Sequence, residues 1–152
     1  MNRVILDNMN SLITENDWLY FLGDMAMIRE PKHLTYWLDS LRCRNICFIK
    51  GNHDKTASKI SDRFFWYKDM EQIKVQKQPI VLCHYAMRVW NRSHHGSWHL
   101  YGHSHGTLPD DQNSLSMDVG VDTNNFMPYS FEDIQERMNK KTFVPIDHHD
   151  AS

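Results

Sequence analysis

No stretch of the 152 residues stays apolar for the roughly 20 positions that a helical membrane span needs. A helix crossing a bilayer is therefore set aside. Cysteine is scarce: Cys43, Cys47 and Cys83 are an odd, sparse set lying in or beside apolar runs. That excludes a disulfide framework and points to a reducing compartment, with the cytoplasm as the default. The Cys43-x-x-x-Cys47 pair has no second pair nearby and reads as two small buried hydrophobes. Charge of one sign is also lacking. Seventeen basic and nineteen acidic residues are interspersed, with a net charge of -2 and no polybasic run, so charge gives no strong nucleic-acid signal. Internal repeats, low-complexity segments and interdomain linkers are absent as well. At 152 residues and 41% hydrophobic, the chain suits one domain with a sizeable core, which the five tryptophans and nine methionines help to fill.

What is present is an alternation of helices and short apolar strands. Ile5, Met9, Leu12 and Ile13 recur at helical spacing over residues 1–13, and Leu34, Trp37, Leu38 and Leu41 do so after Pro31, with Arg42 and Arg44 closing that helix. Between and after them lie continuous apolar runs, as expected of strands covered on both faces: residues 18–22, 46–49, 79–83 and 98–101. Residues 55–78 are less regular, with a short strand expected at 73–75. Residues 115–121 suggest one or two further strands. Ser130 and Asp133 form a capping-box-like start to a helix carrying Phe131, Ile134 and Met138. The polar tail, from about 141 to 152, reads as flexible.

Each of the four main strands runs into polar residues of a particular kind. The first ends in Gly23-Asp24, the second in Lys50-Gly51-Asn52-His53-Asp54, the third in His84-Tyr85 and the fourth in Gly102-His103-Ser104-His105. In α/β sheets, ligands bind at the carboxyl ends of strands, where loops converge. Asp24, Asn52, His84, His103 and His105 would there form a mixed carboxylate, amide and imidazole cluster, suited to Mn, Fe, Zn or Ni rather than to calcium or magnesium. Gly23, Gly51 and Gly102 stand where the backbone turns out of each strand.

Taken in order, these four pieces resemble the calcineurin-like metallophosphoesterases, and His84 to Gly106 is especially similar to the small phosphoesterases of bacteria and their phages. The resemblance spans nearly the whole chain. It implies an α/β fold arranged as an α/β/β/α sandwich. It also implies that Asp24 bridges two metals, that Asn52, His84 and His103 complete one of them, and that His105 belongs to the other. His53 becomes the non-ligand histidine that protonates the leaving-group oxygen or stabilises its charge, oriented by Asp54. The implied reaction is hydrolysis of phosphomonoesters or phosphodiesters, nucleotides among them, by water activated between two divalent ions. Arg88, His94 and His95, in the loop after His84, are the residues placed to touch the phosphate or the rest of the substrate.

The resemblance is incomplete at one end. The family opens with a strand ending in Asp-x-His, which supplies ligands to the second metal, and no such motif precedes Asp24. Three accounts compete: a piece or start-site variant of a longer enzyme, a natural short form with one intact metal site, or substitution from elsewhere, such as the tail Asp147-His148-His149-Asp150. One well-occupied metal position is expected, with the second weak or empty. Because the missing strand is interior to the family's sheet, exposed backbone edges and homo-oligomerisation through them are expected too. A catalytically impaired protein acting as a binding or regulatory module is the alternative to an enzyme.

Overall fold

The computed structural model describes residues 2–23 and 28–147. Asp24 and the residues from His148 onward thus lie outside the described residues. The described chain is a mixed α/β fold with two sheets. In chain order the helices are α1 (Asn2–Leu12), α2 (Pro31–Asp39), α3 (Lys55–Lys59) and α4 (Phe131–Asn139). The strands are β1 (Trp18–Phe21), β2 (Asn45–Ile49), β3 (Trp66–Lys68), β4 (Met70–Val75), β5 (Gln78–Cys83), β6 (Trp98–Tyr101) and β7 (Ser116–Asp118).

The first sheet is parallel, in the order β1-β2-β3, and places Tyr20 beside Cys47 and Cys47 beside Trp66. In the second sheet the order is β4-β5-β6-β7. There β4 and β5 form an antiparallel hairpin, and β5, β6 and β7 run parallel. Side chains alternate across each strand, so the first sheet feeds two cores. Leu19, Ile46 and Phe48 pack with Leu34, Trp37 and Leu38 of α2 and Met9 of α1. On the opposite face Leu22 and Ile49 meet Ile80, Leu82, Trp98 and Leu100 of the second sheet, with Ile134 and Met138 of α4. Phe48 is fully buried among Phe21, Phe64 and Tyr67, with ring centroids 4.8 to 5.9 Å away. Truncating such a side chain costs about 3–5 kcal/mol.

Three local expectations change. Helix α2 stops at Asp39, where the Ser40 N–H returns to the Tyr36 and Trp37 carbonyls, so Arg42 and Arg44 follow the helix rather than close it. Strand β4 begins at Met70, three residues before the expected strand, because pairing with β5 extends it. Residues 115–121 give one strand, β7, within the one or two expected, before a 3₁₀ turn at Val121–Thr123. The tail is anchored through Asp147: the Thr142 and Val144 N–H groups donate to the Gln112 and Asn113 carbonyls, and Ser93 Oγ donates to Asp147 at 3.3 Å. Lys141 secures the same region, its ammonium buried and donating to Asp110 and to the carbonyls of Asp111, Ser114 and Ser116. The capping box forms as read, Ser130 Oγ accepting from Asp133 N and the Asp133 carboxylate from Ser130 N.

Candidate metal centre

The ends of β1, β2, β5 and β6 converge across the two sheets. His84 O accepts from the N–H groups of both Gly102 and His103, at 3.1 and 2.9 Å, which locks the end of β5 to that of β6. His84 Nδ1 donates to Leu22 O at 2.7 Å, tying β5 to the residue after β1. Gly23 makes this approach possible. Its φ of +99° is left-handed, and a Cβ there would collide with His84 Nδ1 and come within 2.9 Å of Gly51 Cα.

The bond to Leu22 O also fixes the chemistry of the His84 ring. A carbonyl only accepts, so the neutral ring carries its proton on Nδ1 and presents a lone pair at Nε2. That Nε2 lies 2.9 Å from Asn52 Oδ1 and 3.2 Å from His103 Nδ1, and the last two atoms are 3.2 Å apart. The Asn52 amide is turned the same way, because its Nδ2 donates to His53 Nε2 at 3.1 Å. Two acceptor atoms and the Nδ1 of His103, whose role its tautomer sets, therefore form a triangle with edges close to 3 Å, drawn from three strand ends. Ligands about 2.1 Å from one metal ion are held about 3.0–3.4 Å apart, so the triangle has the size and donor chemistry of one face of a coordination shell. His84 is buried, whereas Asn52 is exposed and His103 half-buried, so the face is open to solvent on one side.

The other expected site residues are placed as follows. Asp54 is buried at 4% exposure, and its carboxylate accepts from Gly51 N at 2.6 Å, closing the turn that carries Asn52 and His53. His105, with φ of +50°, pairs with Asp122 at 2.6 Å. Asp118 accepts from Gly106 N and Gly120 N beside that pair. Arg88, His94 and His95 stand on the loop after His84. Arg88 lines a groove of about 420 Å³ with Met87, Trp90, Tyr101, Phe143 and Ile146, and the rings of His94 and His95 lie 4.0 Å apart on a 3₁₀ turn. Among the described residues no three His, Cys, Asp or Glu side chains gather where they could hold a metal ion; the triangle is two imidazoles and an amide.

Two residues escaped the sequence reading. His99 is completely buried within β6, donates from Nδ1 to Val81 O at 3.0 Å and accepts from Met87 N at Nε2 at 3.0 Å. Burial holds its pKa below the usual histidine value, so the ring is a neutral bracket between β5 and the loop after His84. A histidine inside an otherwise apolar run is the available signal, since it needs a partner at each nitrogen. The second is Tyr85, whose ring lies 5.0 Å from that of His84 and 4.7 Å from that of His103. Elsewhere, burial pushes the Cys47 thiol up to about 11, and burial with the nearby Asp118 and Asp110 charges pushes Tyr101 to about 12.

The architecture is that of a two-sheet α/β protein, and the comparisons agree at that level. The chain is similar in fold to the crystal structure of AQ665, a protein of unknown function from Aquifex aeolicus, with a TM-score of 0.65, 20% identity, and coverage of 89% of this chain and 83% of that one. In sequence it is 26% identical over 149 residues to the uncharacterized protein MJ1445 of Methanocaldococcus jannaschii, covering 95% of this chain and 78% of that protein. No family model matches the chain.

Proposed function

We propose that this chain is a calcineurin-like metallophosphoesterase, hydrolysing phosphomonoesters or phosphodiesters with a divalent transition ion, Mn, Fe, Zn or Ni, held by Asn52, His84 and His103. The observation that carries the reading is the triangle of Asn52 Oδ1, His84 Nε2 and His103 Nδ1, with edges of 2.9 to 3.2 Å. The packing of two sheets with helices on the outer face of the first also supports the sandwich. Bound there, such an ion supplies Lewis acidity and lowers the pKa of water.

The chain's own residues divide the remaining work. His84 is held rigid by Leu22 O, and Asn52 is oriented by His53, so the donor atoms are arranged before anything binds. A neutral His53 that accepts through Nε2 carries its proton on Nδ1, the atom from which it donates to a leaving oxygen. Water then attacks phosphorus and gives up a proton to solvent, the ester P–O bond breaks, and the leaving oxygen, its charge stabilised by the His53 Nδ1–H, takes a proton from solvent. Asp54 keeps the turn closed through Gly51 N. In this reading Asp24 completes the ligand set.

The test is hydrolysis of bis(p-nitrophenyl) phosphate and p-nitrophenyl phosphate with added Mn²⁺, together with metal content by mass spectrometry, for the wild type, Asn52→Ala and His53→Ala. Expected is turnover that falls at least a hundredfold in Asn52→Ala and substantially in His53→Ala. Activity unchanged in both variants would sink the assignment. A second reading, a metal-binding regulatory module on the same scaffold, is favoured by the engagement of His105 with Asp122. Stoichiometric metal without turnover of either ester would select it.

A further inference from the structure

Tyr85 is a large aromatic residue that belongs to neither core and remains 47% exposed. It is nonetheless held against two of the three triangle residues. Its ring meets His84 edge-on, with 76° between the planes at 5.0 Å, and His103 at a 50° tilt and 4.7 Å. The backbone beneath it is fixed. His99, buried and bonded to Val81 O and Met87 N, pins the chain on either side of it. An exposed ring kept rigid beside a polar site offers a flat apolar surface at little entropic cost on binding.

We propose that Tyr85 is a substrate-contacting specificity residue, a stacking face for a planar aromatic group of the phosphate ester bound at the Asn52–His84–His103 triangle. The substrate class is then an aryl or nucleobase-bearing ester rather than an alkyl one. This deepens the phosphoesterase reading and rests on it. Stacking a single base on one aromatic side chain changes binding by about tenfold or more, which sets the size of the effect.

The experiment uses three diesters with a common leaving group: the p-nitrophenyl esters of methyl phosphate, phenyl phosphate and thymidine 5′-monophosphate. In each, water forms the new bond to phosphorus and p-nitrophenolate departs, so only the retained group differs. Wild type with Mn²⁺ is expected to favour the phenyl or thymidine ester over the methyl ester by about tenfold in kcat/KM, chiefly through KM. Tyr85→Leu is expected to abolish that ratio and Tyr85→Phe to keep it. Equal preference for phenyl and thymidine esters names any flat ring, and preference for thymidine alone names a nucleobase. An independent readout is calorimetric binding of adenosine 5′-monophosphate against ribose 5-phosphate to the Mn²⁺-loaded protein. Tighter binding of the adenosine ligand is expected, lost in Tyr85→Leu. Turnover of all three esters with the same ratio in wild type and Tyr85→Leu overturns the assignment of Tyr85. No turnover of any ester, with adenosine binding that Tyr85→Leu abolishes, overturns the phosphoesterase reading and leaves the stacking face standing.

Discussion

Protonation of His99 would remove the lone pair with which Nε2 accepts from Met87 N and place a charge where no solvent reaches. Its folded pKa lies below the ordinary value of 6.5, so the unfolded chain binds the proton more tightly. The resulting contribution is present in full above pH 6.5 and is lost as the pH falls toward the folded pKa. The urea midpoint of the wild type is expected to fall between pH 7.5 and pH 5, and that of His99→Gln to start lower and fall less. A parallel decline in both proteins counts against this role. Gly23→Ala tests the convergence of the strand ends. The left-handed φ and the collision with His84 cost about 3 kcal/mol, read as a lowered melting temperature together with loss of metal uptake. At this scale the ligand-type residues were legible, because Asn52, His84 and His103 each follow an apolar strand and a change of residue chemistry marks the boundary. The supporting groups were not. Leu22 contributes through its carbonyl, and His99 and Tyr85 matter only through partners that folding brings to them.

Elements followed the apolar pattern where burial was two-sided. Strands β2, β5 and β6 are covered on both faces and were visible as unbroken hydrophobic runs. Strand β4 alternates exposed and half-buried residues, so Met70 to Gln72 gave no signal without the partner strand. Helix α3 has five residues, too few to show a helical period. Just past the end of α4 lies an interaction that the sequence does not display: Lys141 reaches back to groups 25 to 31 residues earlier. Replacing this buried ammonium by methionine keeps much of its volume but leaves three carbonyls without their donor. Lys141→Met is expected to lose about 2 kcal/mol in urea denaturation, with hydrogen exchange speeding up first in residues 110–116. Unchanged protection there would remove the lysine from this role.

Across the whole molecule, the triangle draws one donor from the end of β2 in the first sheet and two from β5 and β6 in the second. An ion that binds only the folded arrangement stabilises it by mass action, by about 2.7 kcal/mol at a free concentration one hundred times Kd. Melting with Mn²⁺ and with EDTA is therefore expected to differ in the wild type and to coincide in Asn52→Ala and His103→Ala. Coincidence in the wild type would dismiss the site. Among the described residues no helix is long and apolar enough to cross a membrane. Because Asn52 and His103 are far apart in the chain, their meeting requires the two sheets to have docked already. An ion bound there is expected to act as a brake on unfolding rather than an aid to folding, read in a chevron plot as a slower unfolding limb beside an unchanged folding limb.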